Sequence, residues 1–566
     1  MINLTAKPFN LDASGINWVK ATLAGMTLQE KIGQLFCLLG DFKNTSEIDR
    51  VLNKYSPGGI MYRPGDSHEI QNMHRYLQEK STIPLLLGAN LESGGDGIGN
   101  DGTFYGRQIQ VAATGDTKYA YRLGDIAGSE GAAVGCNWAF APVVDINFNF
   151  ENPITNVRTY GSDPKLVKQM ASAYIKGCQQ HDVAVAIKHF PGDGIDDRDQ
   201  HLVTTSNSLS TQEWDETYGD IYRTLIDEGA KTVMVGHIKQ PAYTRFFNPS
   251  IKDEDIMPGS LSPELLQSLL RDKLGFNGLI SSDATNMAGF ASCGKRSDLL
   301  PMAIAAGCDM VLFTRDLEED YGFMLDGFKN GVITEERLND AVTRILATKA
   351  SLKLPNKQVA NTLVPPASAL SILKSKEHQK WARELSEESI TLVKDTQKLL
   401  PLSSNKFKKI LVIVLGDVLS ASGKPPVADL FISSLKNEGF YVDEFDSSVQ
   451  GEMLSKGSIR EIKNSYDLIC YFANIKTASN QTNVRINWLP PMGVDMPWFV
   501  NEIPTLFVSI ANPYHLQDVP MIKTYINAYT ANEFNPEIIV EKLVGKSGFK
   551  GKNPIDPFCH YWDSTF

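Results

Sequence analysis

The chain has 566 residues, of which 42% are hydrophobic and 21% are charged, and its formal net charge is −11. A chain this long exceeds the size at which one hydrophobic core keeps growing, so we expect two or three domains. Nucleic acids and anionic membrane surfaces are bound by clustered Lys and Arg, and the sequence contains no basic run, which argues against both partners.

Cysteine usage and the first residues bear on the cellular compartment. The seven cysteines are scattered and form no CxxC pair. This pattern is typical of reduced thiols and not of a disulfide framework or a zinc site. The N-terminal residues lack the charged and then apolar segments of a signal peptide, and no apolar run approaches the length of a membrane-spanning helix. We therefore expect a cytoplasmic protein.

The first 350 residues alternate short apolar runs with amphipathic stretches. Eight runs occur, at 35–40, 58–63, 84–92, 137–146, 183–190, 232–238, 278–284 and 309–314. Continuous apolar runs of this length are typical of strands that are buried on both faces. Eight strand–helix units predict a TIM (β/α)8 barrel over residues 1–350, with a doubly wound open sheet as the alternative.

Helix starts are marked between several of these runs. Thr27 and Glu30 have the spacing of a capping box, and Asp163 precedes a proline that would open a helix over 164–180. Ser262-Pro263 marks a third start, for a helix over 262–273.

The second half of the chain has a different pattern. Residues 351–372 contain three prolines and no clear period, so we interpret them as a linker. A helix over 374–389 follows, and apolar runs at 409–416, 466–474 and 504–510 then alternate with helical stretches such as 427–438. Residues 373–566 are therefore predicted to form a smaller open α/β sheet domain.

Polar side chains stand where the predicted barrel strands end. They are Arg63, Asn90, Glu92, Asp145, Lys188, His189, His237, Asp283, Thr314 and Arg315. Each one alone has an ordinary structural explanation, such as a helix cap or a satisfied buried histidine. Because TIM barrels carry their active sites at the carboxyl ends of the strands, so many polar strand ends predict an active site at that face.

Asp283 ends its strand beside small residues, which leave room for a substrate atom. Such a carboxylate can act as a nucleophile towards an anomeric carbon, as a general base or as a metal ligand. The cations predicted at the same face, Arg63, Arg158 and Lys188, argue against an added divalent ion. We expect neither a metal nor another cofactor.

Asp199 and His201 stand two residues apart in a loop that contains Gly192 and Gly194. In an extended segment, residues i and i+2 project to the same side, so the carboxylate can bind one imidazole nitrogen and raise the basicity of the other. This pair predicts a general acid/base on a mobile loop. The alternative is a solvated acidic loop, since four aspartates crowd residues 193–199.

These motifs resemble one known family. The run Lys188 to His201 is similar to the signature of the β-N-acetylhexosaminidase branch of glycoside hydrolase family 3, and 279–286 resembles the nucleophile strand of that family. Residues 26–34, 152–164 and 260–275 resemble further family segments in the same order. The resemblance covers most of residues 20–350 and, more weakly, the tail of two-domain members.

The resemblance implies a retaining mechanism. Asp283 would attack the anomeric carbon and form a covalent glycosyl-enzyme, and His201, oriented by Asp199, would protonate the leaving oxygen and later deprotonate water. The expected reaction is hydrolysis of terminal, non-reducing β-linked N-acetylglucosamine, from cell-wall or chitin fragments. The residues predicted to bind the sugar are Lys188, His189, Arg158, Asn90, Glu92, Arg63 and His237.

The chain departs from the family pattern at two places. The family usually has Asp-Gln-Glu-Gly-Gly followed by Arg after the third strand, and this chain has Asn90-Leu91-Glu92-Ser93-Gly94-Gly95-Asp96. The acid that normally binds sugar hydroxyls is therefore replaced by Asn90 or displaced to Glu92. Asp193 stands where the family often has His.

Three alternatives remain open. Phosphorolysis could occur at the same intermediate, because an imidazole acid/base does not repel phosphate as a carboxylate does. A β-glucosidase or β-xylosidase is a further alternative, and so is an inactive carbohydrate-binding homologue. The second domain could contribute a residue to the sugar site, through a loop such as 480–488, or could mediate a homodimer.

Overall fold

The computed structural model describes residues 2–42, 44–418, 426–482, 484–490 and 493–566. Its first half is a closed barrel of eight parallel strands, which confirms the predicted fold. The strands are Phe36–Leu39 (β1), Gly59–Met61 (β2), Leu86–Ala89 (β3), Trp138–Ala139 (β4), Ala184–Phe190 (β5), Thr232–Val235 (β6), Leu279–Ala284 (β7) and Met310–Leu312 (β8). Each predicted apolar run contains one of these strands, and sequence neighbours pair throughout the ring.

Helices surround the barrel. The α-helices of this half are Ala13–Gly25, Leu28–Gln34, Thr45–Tyr55, Ser67–Lys80, Gln108–Ala112, Thr117–Val134, Pro164–Gln179, Thr211–Trp214, Asp220–Glu228, Pro241–Phe247, Ala288–Ala291, Arg296–Ala306, Leu317–Lys329 and Glu335–Ser351. Wider π turns occupy Asp215–Gly219 and Glu264–Lys273, and 3-10 turns occupy Gly95–Gly97, Asp253–Asp255 and Gly259–Leu261. A two-stranded sheet pairs Thr205–Ser206 with Ile238–Lys239. Within the described ranges, no helix is both long and apolar enough to cross a bilayer.

The predicted helix starts lie where the sequence marks them. The Thr27 hydroxyl accepts from the backbone N–H of Glu30, whose carboxylate accepts from the backbone N–H of Thr27. Asp163 accepts from the backbone N–H of Lys165, one residue beyond Pro164. The helix predicted over 262–273 is the π segment, so its position is confirmed and its winding is wider than expected.

The barrel interior is tightly packed by buried side chains. All seven residues of β5 are buried, as expected for a parallel strand covered on both faces. The indole N–H of Trp138 donates to Thr232 Oγ1 over 2.9 Å, so the largest interior side chain has its polar atom satisfied. This core holds the strand ends rigidly, and the active-site candidates are attached to those ends.

The second domain is a six-stranded sheet. Its strands are Thr391–Asp395 (β9), Lys409–Gly416 (β10), Tyr441–Glu444 (β11), Leu468–Asn474 (β12), Thr505–Ser509 (β13) and Thr524–Asn527 (β14). The order is β9-β14-β13-β12-β10-β11, with all neighbours parallel except the β9–β14 pair. The three long apolar runs are confirmed as central strands, whereas β9, β11 and β14 are short and were not predicted.

Helices cover both faces of this sheet. They are Lys376–Ser389, Ala428–Asn437, Ser447–Lys456, Ile459–Ser465 and Asn535–Leu543, with 3-10 turns at His515–Gln517 and Trp562–Thr565. Along β10, Ile410 and Val412 pack into one apolar core and Leu411 and Ile413 into another. Side chains that alternate between two buried faces explain why this strand is an unbroken apolar run.

The segment between the two domains is structured. Residues 351–372, interpreted as a linker, contain the helix Leu354–Val359 and the 3-10 turn Ala367–Ile372. Leu354 and Leu370 belong to the barrel core. The periodicity of this stretch is obscured by its prolines, and a proline in the first turn of a helix is compatible with helical structure.

The helix Lys376–Ser389 lies between the domains. His378 Nδ1 is 2.6 Å from Glu130 Oε1 of the barrel, and Arg383 Nη1 is 2.8 Å from Glu537 Oε2 of the second domain. Ala382 and Leu385 pack into the barrel core. The helix therefore contacts both halves of the molecule.

Candidate active site

Adjacent strands bring the predicted catalytic groups together. β5 pairs with β6, and β6 pairs with β7, so the carboxyl ends of these three strands are neighbours. They carry Lys188-His189, His237 and Asp283 respectively. The polar strand ends of the sequence therefore meet at one face of the barrel.

Asp283 is set among imidazoles. Burial by itself would raise the pKa of this carboxyl, but His189, His237 and His201 lie close enough to lower the pKa below its ordinary value. The backbone N–H of Ala284 donates to Asp283 Oδ1 over 2.7 Å. The carboxylate is therefore stable in its ionised form, which is the nucleophilic form.

A second carboxylate orients His189. Asp145 is fully buried, and its Oδ2 lies 2.7 Å from His189 Nδ1. The backbone N–H groups of His189 and Asp193 both donate to Asp145 Oδ1, over 3.0 and 2.8 Å. Since a carboxylate only accepts, Nδ1 carries the proton, and Nε2 is directed towards Asp283 Oδ2 at 3.9 Å.

Glu92 holds two cations at the mouth of the barrel. Its carboxylate accepts two hydrogen bonds from Arg158, at 2.7 and 2.9 Å, and lies 2.7 Å from Lys188 Nζ. Burial opposes ionisation, but both cations hold the pKa of Glu92 well below its ordinary value. The cluster of Glu92, Arg158 and Lys188 carries a net charge of +1. Both cations, which the sequence assigned to sugar binding, are paired with Glu92.

The Asp199–His201 pair forms as predicted. His201 Nδ1 and the backbone N–H of His201 lie 2.7 and 2.8 Å from Asp199 Oδ1. The Asp199 side chain is fully buried, which by itself raises its pKa, but the hydrogen bonds from His201 hold that pKa below its ordinary value. The acidic loop is therefore not simply solvated, and His201 Nε2 is left to contact a substrate.

A cavity of about 710 Å³ opens between the barrel mouth and the second domain. From the barrel, Asn90, Glu92, Arg158 and His201 line it. The second domain adds Thr477, Ala478, Ser479, Asn532 and Glu533. A pocket at a domain interface beside oriented titratable groups is a typical substrate site.

Several of the predicted site residues do not line this cavity. His237 is fully buried: its Nε2 donates to the carbonyl of Ala284 over 3.0 Å, and its Nδ1 lies 2.9 Å from Ser260 Oγ. Burial lowers the pKa of His237, although the charge of Asp283 opposes this shift, and the ring supports the backbone next to Asp283. Arg63 follows β2 with an exposed side chain. The described residues that line the cavity include neither Arg63 nor His237, and they do not include Lys188, His189 or Asp283.

Sequence reasoning missed the role of Asp193. This fully buried carboxylate accepts from Asn152 Nδ2 and from the backbone N–H of Gly194, at 3.0 and 2.7 Å. Burial and the charge of Asp145 raise its pKa to about 8. In the sequence Asp193 is one of four aspartates in seven residues, and that pattern does not separate the buried ones from the exposed ones.

The described residues contain no group of three or more His, Cys, Asp or Glu side chains arranged to hold a metal ion. The imidazoles around Asp283 have protein partners: His189 pairs with Asp145 and His201 pairs with Asp199, while His237 contacts Ser260 and the carbonyl of Ala284.

Comparisons with known proteins show which family the chain belongs to. A curated protein of Cellulomonas fimi, named beta-N-acetylglucosaminidase/beta-glucosidase, is 44% identical over 567 residues and covers all of both chains. A solved structure named beta-glucoside phosphorylase BglX is 47% identical with a TM-score of 0.94, and covers 99% of each chain.

A more distant structure has the same fold. The glycoside hydrolase family 3 beta-N-acetylglucosaminidase from Paenibacillus sp. str. FPU-7 is 24% identical with a TM-score of 0.80, and covers 95% of this chain and 100% of its own. The family description "Glycosyl hydrolase family 3 N terminal domain" matches residues 27–348, the whole strand-bearing part of the barrel. The chain therefore belongs to glycosyl hydrolase family 3, as its motifs indicated.

Proposed function

We propose that the enzyme is a retaining exo-glycosidase that removes terminal, non-reducing β-linked N-acetylglucosamine through a covalent intermediate on Asp283. One observation carries the proposal: an ionised carboxylate, Asp283, with a side chain that is 15% exposed, lies among three imidazoles, and one of those imidazoles, His201, is paired with a carboxylate and lines the cavity. This arrangement supplies a nucleophile and an acid/base to opposite sides of one glycosidic bond.

In the first step Asp283 attacks the anomeric carbon. The protonated His201 gives its Nε2 proton to the leaving oxygen while Asp199 holds Nδ1. Asp145 fixes the His189 ring, so its Nε2 can contact a sugar hydroxyl near the reacting carbon without rotating away.

In the second step the neutral His201 takes a proton from the acceptor, which then displaces Asp283. Two inversions at the anomeric carbon give net retention. When water is the acceptor, the first product is the β-anomer of the free sugar.

Sugar recognition is assigned to the mouth of the barrel. Arg158 and Lys188 are fixed by Glu92 and donate charge-assisted hydrogen bonds to hydroxyl or acetamido oxygens. Asn90 is exposed, lines the cavity and stands at the position of the usual family acid. A carboxylate at this position would only accept hydrogen bonds from sugar hydroxyls, whereas the Asn90 amide both donates and accepts. The site is therefore less selective for one arrangement of hydroxyls and is compatible with glucosides as well.

Paired assays test the sugar and the intermediate. Nitrophenyl N-acetylglucosaminide and nitrophenyl glucoside are compared at equal concentration, and a 2-deoxy-2-fluoroglycosyl fluoride traps the intermediate for peptide mass spectrometry. We expect turnover of the N-acetylglucosaminide and a glycosyl adduct on Asp283. An adduct on another residue, or an α-configured first product, contradicts the mechanism.

Phosphorolysis is the second candidate. It is favoured by the similarity to beta-glucoside phosphorylase BglX over 99% of both chains. Two features of the site are compatible with a phosphate acceptor: the acid/base is an imidazole, and the Glu92 cluster has a net charge of +1. Neither repels a phosphate dianion.

Product analysis with and without inorganic phosphate separates the two acceptors. A hydrolase releases the free sugar at a rate that phosphate does not change. A phosphorylase releases a sugar 1-phosphate, and its turnover rises with phosphate concentration.

A further inference from the structure

The second domain contacts the acid/base pair through one backbone group. The N–H of Asn480 donates to Asp199 Oδ2 over 2.7 Å. The other carboxylate oxygen, Oδ1, accepts from the backbone N–H and Nδ1 of His201. Both oxygens of Asp199 therefore accept hydrogen bonds from N–H groups. The donors to Oδ1 come from the barrel, and the donor to Oδ2 comes from the second domain.

The segment that carries Asn480 is built to present this N–H. It follows β12, a central strand of the second sheet, at the carboxyl end where open α/β sheets collect their ligand-binding loops. Asn480 has φ +65°, a left-handed conformation that Asn adopts more readily than most residues. The Gln481 side chain accepts from the backbone N–H of Ala478 over 3.1 Å and stabilises the turn.

The contact is not explained by packing alone. The Asn480 side chain is exposed, so it adds no apolar burial. The Asp199 side chain is fully buried, and a buried carboxylate oxygen without a donor is costly. Ala478 and Ser479, just before Asn480, line the same cavity as His201.

We propose that Asn480 is a positioning residue supplied by the second domain: its N–H holds the Asp199 carboxylate against His201 and so fixes which ring nitrogen faces the glycosidic oxygen. The inference rests on the proposed function, because it assigns the acid/base to His201. It also gives the second domain a part in proton transfer.

The consequence is selective. A charge-assisted hydrogen bond to a buried carboxylate is a strong one, and its loss leaves the imidazole less well oriented. Proton transfer to the leaving group matters most when that group is a poor one. Loss of the Asn480 N–H should therefore slow methyl glycosides more than dinitrophenyl glycosides.

The test compares Asn480→Pro with Asn480→Gly. The proline removes the N–H and, because its ring fixes φ near −65°, also moves this residue out of its left-handed conformation, whereas the glycine keeps the N–H and tolerates the left-handed φ. For Asn480→Pro we expect roughly a 10-fold loss of kcat/KM on the methyl β-glycoside and less than about a 3-fold loss on the 2,4-dinitrophenyl β-glycoside. For Asn480→Gly we expect the leaving-group pattern of the unmodified enzyme. Equal losses on both substrates, or none on the methyl glycoside, overturn the proposal.

Amide exchange gives a measurement that does not depend on the folding of a proline variant. In the unmodified enzyme, mass spectrometry should find the Asn480 amide protected, and Asp199→Ala should remove that protection. Fast exchange of this amide in the unmodified enzyme overturns the proposal.

His201→Ala in the same paired assay separates this inference from the proposed function. If His201→Ala lowers kcat/KM equally on the methyl and dinitrophenyl glycosides, the acid role of His201 itself is wrong. If His201→Ala discriminates by leaving group and Asn480→Pro does not, the acid role stands and only the role of Asn480 is wrong.

Discussion

The two halves of the active site are positioned by different means. In the proposed nucleophile half, Asp283 and His189 lie on barrel strands, and Asp145, in the loop after β4, is held to His189 by a buried hydrogen bond. The proposed acid/base half, Asp199 with His201, lies on a loop. Asp199 Oδ2 accepts a hydrogen bond from the backbone N–H of Asn480 in the second domain. The first half is complete within the barrel, whereas the second is completed only where loop and domain meet.

This difference suits the chemistry assigned to each half. A nucleophile must approach one carbon along one line, so a rigid strand end is an advantage. An acid/base must serve first a leaving group and then an incoming acceptor, so a loop that admits and releases both is an advantage. Substitutions in the two halves should therefore have different signatures.

Asp283→Ala should give the largest effect. Without the carboxylate no glycosyl-enzyme forms, so we expect kcat to fall by about four orders of magnitude or more on every glycoside, whatever its leaving group. Steady-state rates with the nitrophenyl glycoside measure this loss. The exposed Asp298, substituted in the same way, should retain the unmodified rate, and wild-type activity in Asp283→Ala would show that the nucleophile lies elsewhere.

His201→Ala should give the next largest effect, and it should depend on the leaving group. We expect about a 100-fold to 10,000-fold loss on methyl glycosides, where proton donation limits the rate, and a much smaller loss on dinitrophenyl glycosides. The ratio of the two kcat/KM values is the readout. His68→Ala, at an exposed helix position, is the matched control.

Glu92→Gln tests the rigidity of the barrel mouth. It leaves Arg158 and Lys188, which are mostly buried, without their anion, so we expect roughly 2 kcal/mol of lost stability and a raised KM. The thermal unfolding midpoint and KM are measured together. Glu318→Gln breaks the exposed pair with Lys54 and should cost less than about 1 kcal/mol, so equal shifts in the two variants would contradict the assignment.

Asp193→Asn should have the smallest effect on activity, and its effect on stability should depend on pH. The raised pKa of about 8 means that the folded protein retains a proton that the unfolded chain loses near pH 4. The unfolded chain therefore binds fewer protons between about pH 4 and pH 8, and stability should fall as pH rises through this window. The Asn variant should show a flatter pH dependence of the unfolding midpoint.

The exposed Asp197 on the same loop provides the control for this prediction. Asp197→Asn should leave the pH dependence of the unmodified protein in place. Parallel curves for Asp193→Asn and the unmodified protein would show that Asp193 ionises as an ordinary surface carboxyl.

Sequence alone predicted residues of both halves, but it did not predict the buried Asp193 or the donor that the second domain supplies to Asp199. The barrel strands are buried on both faces, so each leaves an unbroken apolar run, and the polar residue that ends a run identifies Asp283 and His189. The same rule also selected Arg63 and His237. It reports where a strand ends and not where a side chain points, and the structure directs one of these to solvent and the other behind Asp283.

The missed features depend on contacts between distant parts of the chain. Asp193 is buried because it packs against Asp145, which lies 48 positions earlier in the sequence. The sequence named 480–488 as a loop that could reach the sugar site, but not the contact itself: Asn480 is 281 positions from Asp199, and a single backbone N–H leaves no residue-type signal. The short strands β9 and β11 lie at the edges of the second sheet, where few apolar residues are needed.

The helix Lys376–Ser389 has a consequence for how the molecule unfolds. Its residues Ala382 and Leu385 complete the barrel core, and Arg383 pairs with Glu537 and Glu541 across the domain boundary. Cutting the chain at residue 372 would remove this helix from the barrel core. The fragment that begins at residue 373 would then expose Ala382 and Leu385. We therefore expect the two sheets to unfold together, and a single transition in calorimetry of the whole chain would be the corresponding result.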